Sequence, residues 1–150
     1  MPLFDYFRAP DADAVRQALD AGGGATPVGA VFDGIEAKGV DPSVVLAMMV
    51  AAVRQVPWSA DLVDDRLVWP VGVEQDPEYD GPWVSELNTS ARDVLAGAGD
   101  LPRVAREWAQ VEELGGNVDV ADAQVFVESI VDLARRAREA DEPLFCWISL

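Results

Sequence analysis

The chain has no histidine, one cysteine and one lysine among its 150 residues. Each absence excludes a class of chemistry. Without imidazole there is no histidine general base and no triad of the Ser-His-Asp or Cys-His kind. With Cys146 alone, an internal disulfide framework is impossible, and zinc sites built from several cysteines or histidines are excluded. Cys146 lies in the apolar run Leu144-Phe145-Cys146-Trp147-Ile148, with no base nearby to activate a thiolate, and reads as a small buried hydrophobe. The longest apolar run, Val44 to Val53, is ten residues. That is half of the roughly 20 needed to cross a bilayer. The start Met1-Pro2-Leu3-Phe4-Asp5-Tyr6 lacks the basic head and apolar stretch of a secretory signal. A soluble cytoplasmic protein is expected.

Acid, by contrast, is abundant. Twenty-seven Asp and Glu stand against eleven bases, a net charge of −16 and a pI near 4.1. Such a surface repels phosphates, so nucleic acid is not an expected partner. Half the residues are apolar and a quarter charged, which fits a folded chain long enough to bury a core. Arginine so far outnumbers lysine, and Asp so outnumbers Glu, that a GC-rich genome or a high-salt habitat explains part of the acidity.

The patterning predicts one α+β domain over residues 1–150, rich in helix, with a small sheet that includes the N- and C-terminal strands. Leu3 to Phe7 is aromatic-rich. From Leu144 to Leu150 nearly every position is apolar, the mark of a strand covered on both faces. Pairing of these two strands would bring the termini together. Pro10 and Asp11 open a short helix whose apolar positions are Ala14, Val15, Ala18 and Leu19, and Gly22-Gly23-Gly24 ends it. Asp41-Pro42 starts a helix to about Gln55, apolar around most of its circumference and so expected in the middle of the fold.

Ser59 to Val63 reads as a helical turn before the strand Leu67-Val68-Trp69, which Pro70 stops. Residues 72–83 read as a loop. Asn88 or Thr89 is placed to cap a helix to about Ala96. Asp100 with Pro102 starts another, with Leu101, Val104, Ala105, Trp108 and Val111 as its buried stripe and Gly115-Gly116 as its end. The last helix runs from about Asp119 to Ala140, with acids at its positive end, Arg135, Arg136 and Arg138 at its negative end, and Pro143 closing it. Arg103 with Glu107, Asp132 with Arg136, and Arg135 with Glu139 stand at the spacing of surface ion pairs.

The order of these features resembles the YfbM-like group of small bacterial proteins. An early Tyr6-Phe7 leads into an acid-led helix. Gly81-Pro82-Trp83 to Leu95 reads as a turn into a helix, and the helix around Phe126 to Leu133 runs into an apolar terminal strand. The resemblance covers about two-thirds of the chain and implies an α+β fold. It carries over no catalytic residue, because the family has no settled activity. The central helix departs from it: the family tends to carry an aromatic and a histidine where this chain has Val44 to Val53.

Three segments invite a chemical reading. Asp76, Glu78, Asp80 and Gly81 match positions one, three, five and six of a calcium loop, but position twelve is Leu87 instead of the bidentate Glu, and Pro77 stiffens the loop. A solvated acidic loop explains the run better, and no metal ligand is assigned. Gly22 to Gly24 follows a helix and lacks a lysine, so it terminates the helix instead of cradling phosphate. No Gly-x-Ser-x-Gly elbow and no cofactor fingerprint is present, so no catalytic residue and no cofactor is assigned.

The charge itself is uneven. Asp61, Asp64, Asp65, Glu74, Asp76, Glu78 and Asp80 face Arg66 alone across residues 61–80, a net of −6. Trp58, Trp69, Tyr79 and Trp83 lie in or beside the same stretch. Acids would steer a basic protein and aromatic rings would anchor it. The leading expectation is a non-enzymatic protein-binding module, in its concrete form an inhibitor or immunity-type protein masking a basic partner. The expected binding patch is Asp61, Asp64, Asp65, Trp69, Glu74, Asp76, Glu78, Tyr79, Asp80 and Trp83. The alternative is a small carboxylate-based enzyme or a domain binding a divalent metal or other ligand. A third reading is a structural domain whose acidity reflects habitat alone.

Overall fold

The computed structural model describes residues 2–114 and 118–150. Five strands form one antiparallel sheet: β1 (Leu3–Arg8), β2 (Gly34–Glu36), β3 (Asp65–Trp69), β4 (Trp83–Leu87) and β5 (Leu144–Ser149), in the order β2-β1-β5-β4-β3. The helices are α1 (Ala12–Ala21), α2 (Ala47–Arg54), α3 (Thr89–Ala96), α4 (Leu101–Ala109) and α5 (Val120–Glu139). The fold is α+β, as the patterning predicts. β1 pairs along its whole length with β5, Leu3 opposite Ser149 and Arg8 opposite Leu144, which places the terminal strands side by side in the sheet.

Alternation along the strands builds two cores. Phe4, Tyr6, Leu87, Leu144 and Cys146 face α2, α3, α4 and α5 in the larger one. Phe7, Val68, Val84, Phe145 and Trp147 face the other way, onto Val15 and Leu19 of α1. β5 is covered on both faces, which is why its sequence is apolar almost throughout. Phe7 stacks between Phe32 and Phe145. Each side chain of this size contributes about 1.5–3 kcal/mol on burial.

The helix starts follow the sequence closely. Asp11, Asp100 and Asp119 each accept a backbone N–H at the first turn of α1, α4 and α5. At Asp41 the outcome is subtler. Its carboxylate accepts from the Val44 and Val45 amides, and the Leu46 amide reaches back to its carbonyl at 2.9 Å. Pro42–Leu46 therefore forms a π turn before α2 begins.

Other boundaries differ from the patterning. Residues 60–63 make a turn and no helix. Asn88 stands at the cap position of α3, but its side-chain carbonyl accepts from the Asp64 amide at 2.9 Å instead. Helix α4 stops at Ala109, before Val111, and a short 3₁₀ turn follows at Glu112–Leu114. The expected stop at Gly115-Gly116 lies outside the described residues. β2 and β4 have no counterpart in the sequence reading.

The arginines of α5 are used differently from their helical spacing. Arg136 grips Asp33 with two hydrogen bonds, at 2.7 and 3.1 Å, and leaves Asp132 alone. Arg135 donates to the Ala96 and Ala98 carbonyls beyond α3, with Asp132 at 3.8 Å and no bond to Glu139. The Arg103–Glu107 pair forms as its spacing predicts, at 2.9 Å. Asp33 also accepts from Arg8, which in turn reaches Glu142. This network ties the segment before β2 to β1, α5 and the turn into β5. Arg136 and Arg8 hold the Asp33 carboxyl below its usual range, against the opposing effect of burial. Among the described residues no helix is long and apolar enough to cross a membrane.

Candidate functional site

The β3–β4 hairpin organises the acidic stretch. β3 ends in a bulge between Leu67 and Trp69, where an extra residue re-aims the strand. As a result Val68 and Trp69 both pack toward the α1 side of the sheet. The connection then runs through a 3₁₀ turn at Val73–Gln75 and returns at Trp83. Inside it, the Asp76 carboxylate accepts from the Glu78 amide at 3.1 Å, and the Tyr79 amide donates to the Asp76 carbonyl at 3.3 Å. The Tyr79 hydroxyl donates to the Pro82 carbonyl at 2.6 Å, and its ring meets Trp83 edge to face at 5.7 Å. Partial burial, with Asp80 beside it, raises the Tyr79 phenol above its usual value.

Gly81 makes this closure possible. Its φ is +100°, and a β-carbon there would lie 2.7 Å from the Trp83 ring. Only glycine fits both the backbone and the ring.

Glu74, Asp76, Glu78 and Asp80 are all exposed on this connection. Among the described residues, none of the four takes part in an ion pair. Asp61, Asp64 and Asp65 lie elsewhere. Asp65 opens β3 opposite Leu87, so these three sit at the far end of the hairpin, about 13 Å along the strand from Trp69. Asp61 accepts from the Ser59 hydroxyl, which holds its carboxyl below the usual range. Arg66, the one base of the stretch, bonds Glu86 across the strand pair at 3.0 Å.

The aromatic residues divide as well. Trp69 pairs with Val84 and shares the α1 side, whereas Trp83 pairs with Ile148 and shares the side of the larger core. The expected patch of ten therefore resolves into parts. The connection brings together Glu74, Asp76, Glu78, Tyr79, Asp80 and Trp83. Trp69 flanks it on one side, and three aspartates remain at the other end of the hairpin. Trp58 is exposed, its indole donating to the Ser43 carbonyl at 3.3 Å. Among the described residues, no three acidic or cysteine side chains come close enough together to hold a metal ion.

Asp20 was not among the expected residues, and it adjoins the connection. It stands in the last turn of α1, where no base is present, so its charge adds to the negative end of the helix dipole. The Trp69 indole donates to it at 3.0 Å. Close by, a β-carbon at Gly24 would lie 3.1 Å from the Trp69 ring and 3.5 Å from Pro82. An acid just before the triglycine is the sequence signal that marks it, since helix ends ordinarily favour bases.

No protein-family model, curated protein or solved structure matches this chain.

Proposed function

We propose that this protein is a non-enzymatic acidic module that binds a basic protein, with the β3–β4 connection as its contact surface. The observation that carries this reading is the disposition of charge. Among the described residues, seven of the ten arginines are held in ion pairs, while Glu74, Asp76, Glu78 and Asp80 are exposed and belong to none of those pairs. Carboxylates so placed raise the encounter rate with a cationic surface and discriminate against an anionic one. Tyr79 and Trp83, half-buried against one another, give the loop a fixed shape and apolar contact area. An inhibitor or immunity-type role in the cytoplasm, masking a cationic toxin or nuclease, is the concrete form of the reading. A basic protein, and neither nucleic acid nor membrane, is the partner that this charge fits.

The test is affinity capture from extract of the native host, repeated across ionic strength and identified by mass spectrometry. A partner of high pI, released progressively between low and high salt, supports the reading. Capture that is indifferent to salt, or of an acidic protein, contradicts it.

A further inference from the structure

β3 stands at one edge of the sheet, paired with β4 alone. Hydrogen bonding settles which of its backbone groups face outward. The Asp64 carbonyl accepts from the Asn88 amide at 2.9 Å, and the Asp64 amide donates to the Asn88 side-chain carbonyl at 2.9 Å. Positions 64 and 88 thus take the place of a hydrogen-bonded pair. In an antiparallel ladder such pairs alternate with unbonded ones. Arg66 therefore turns its backbone groups to Glu86, while Asp65 and Leu67 turn theirs away from β4. The bond from the Arg8 amide to the Asp33 carbonyl, at the opposite edge, gives the same alternation when carried through β1, β5 and β4. Among the described residues, no hydrogen bond outside the sheet uses the amide or carbonyl of Asp65 or Leu67. Asp65 and Arg66 are exposed and Leu67 is half-buried. The edge closes just beyond them: the Val68 carbonyl, in the bulge, accepts from Arg16 at 3.0 Å, and Pro70 follows the strand.

We propose that this edge receives an extended segment of the basic partner as a further antiparallel strand, paired on the amides and carbonyls of Asp65 and Leu67. The inference rests on the reading of the chain as a binder of a basic protein and names the element that the partner supplies. Charge complementarity selects the occupant. Asp64 and Asp65 stand at one end of the edge with Asp61 in the turn before them, and the connection that carries Glu74, Asp76, Glu78 and Asp80 leaves the other end. The strand's own base, Arg66, is paired with Glu86 at 3.0 Å. One basic strand laid along β3 spans the distance between the acidic groups that the hairpin holds apart. Asp65 and Leu67 share a face of the strand, so they select a lysine or arginine opposite Asp65 and an apolar residue two positions away, opposite Leu67. A second copy of this chain fits poorly, because it brings a net charge of −16 against its like.

The test uses the full chain and three synthetic peptides of about eight residues. The first alternates threonine with lysine and valine in turn, so that lysines and valines share one face of an extended strand. The second has glutamates in place of the lysines. The third is the first with N-methyl groups on its lysine and valine amides, which removes the donors that would pair with β3 and keeps the charge. Affinity is read by calorimetry and the edge by amide exchange in NMR. In the free chain the Asp65 and Leu67 amides are expected to exchange at least about tenfold faster than the Arg66 amide. The lysine peptide is expected to slow both by about tenfold or more, and the glutamate and N-methyl peptides to bind at least about tenfold more weakly. Leu67→Pro removes an outward N–H that the sheet does not use. That variant and Asp64→Asn/Asp65→Asn are each expected to weaken the lysine peptide by about tenfold or more. If Leu67→Pro disturbs folding, the asparagine pair and the exchange rates decide.

Asp65 and Leu67 amides that are already protected in the free chain, or that stay unprotected with the lysine peptide bound, overturn the edge. If in the second case only Asp76→Asn/Glu78→Gln/Asp80→Asn weakens the peptide, the acidic connection remains the contact. A glutamate peptide that binds as tightly as the lysine peptide overturns the basic-partner reading as well. No binding of the lysine peptide at about 1 mM overturns the edge. So does a dimer of the chain by sedimentation that Leu67→Pro makes monomeric, because the occupant is then a second copy.

Discussion

The indole Nε1 of Trp69 donates to the Asp20 carboxylate at 3.0 Å, joining the end of β3 to the last turn of α1. The bond keeps an acid in place where the helix dipole opposes it. Replacing Asp20 by Ala removes a hydrogen bond and relieves that opposition, two effects that nearly cancel. Asp20→Ala is therefore expected to change stability by less than about 1 kcal/mol, while the Trp69 indole proton shifts and exchanges faster by NMR. A loss of several kcal/mol would show that the bond to Trp69 outweighs the opposing dipole and that Asp20 anchors β3 to α1.

Gly81 and Gly72 both have positive φ, +100° and +84°, but only Gly81 meets a neighbour. Gly72→Ala is expected to cost about 1 kcal/mol from backbone strain alone. Gly81→Ala must in addition displace the Trp83 ring and should cost about 2–4 kcal/mol. Chemical denaturation of the two variants checks the difference. Equal losses would show that Gly81 serves the backbone and not the ring.

Asp33 makes the acid limb of stability predictable. Its carboxyl sits below the usual range because Arg136 and Arg8 donate to it. A group lowered on folding stabilises above its unfolded pKa, and that contribution is lost as pH falls through the lowered folded value. The ions are partly exposed, so the contribution is discounted to about 1 kcal/mol. Asp33→Ala should lower the melting midpoint at neutral pH, and the gap from wild type should close as pH falls below the usual carboxylate range, through the lowered folded value. A gap that persists there would mean the network acts through packing and not charge.

Asp5 behaves in the opposite sense. It is buried on β1, and burial raises its pKa, with Glu36 opposite it adding to the effect and the Thr26 hydroxyl, at 2.7 Å, resisting it. A carboxyl raised on folding favours the fold at low pH and loses that favour as pH rises through the folded value. Asp5→Asn keeps an oxygen for Thr26 and removes the charge. It is expected to raise stability by about 1 kcal/mol at pH 7 and by nothing near pH 3. Destabilisation at pH 7 would show that the ionised form is the one the fold requires.

Much of this architecture is legible in the sequence where the signals are local. α5 announces itself through a long apolar stripe, Asp119 at its start and arginines at its end. β5 does so because both of its faces are covered. β2 is three residues long and begins with glycine, too short for a periodic signal. β4 alternates weakly through Val84-Ser85-Glu86-Leu87 and runs directly into the Asn88 cap of α3, so the helix start masks the strand. Helical spacing also misassigned Arg136, whose partner Asp33 lies 103 residues away. The acidic patch was legible as composition but not as shape. The bulge before Trp69 and the length of β3 divide it, and neither follows from charge counting.

The most direct test of the account is the affinity for the captured basic partner of wild type and of the Asp76→Asn/Glu78→Gln/Asp80→Asn variant, by calorimetry at low salt, beside their melting curves. These carboxylates are exposed and outside the described ion pairs, so the melting midpoint is expected to be unchanged. Affinity is expected to fall by about a hundredfold or more, consistent with loss of several carboxylate contacts. Undiminished affinity at an unchanged midpoint would contradict the account and place the contact elsewhere on the surface.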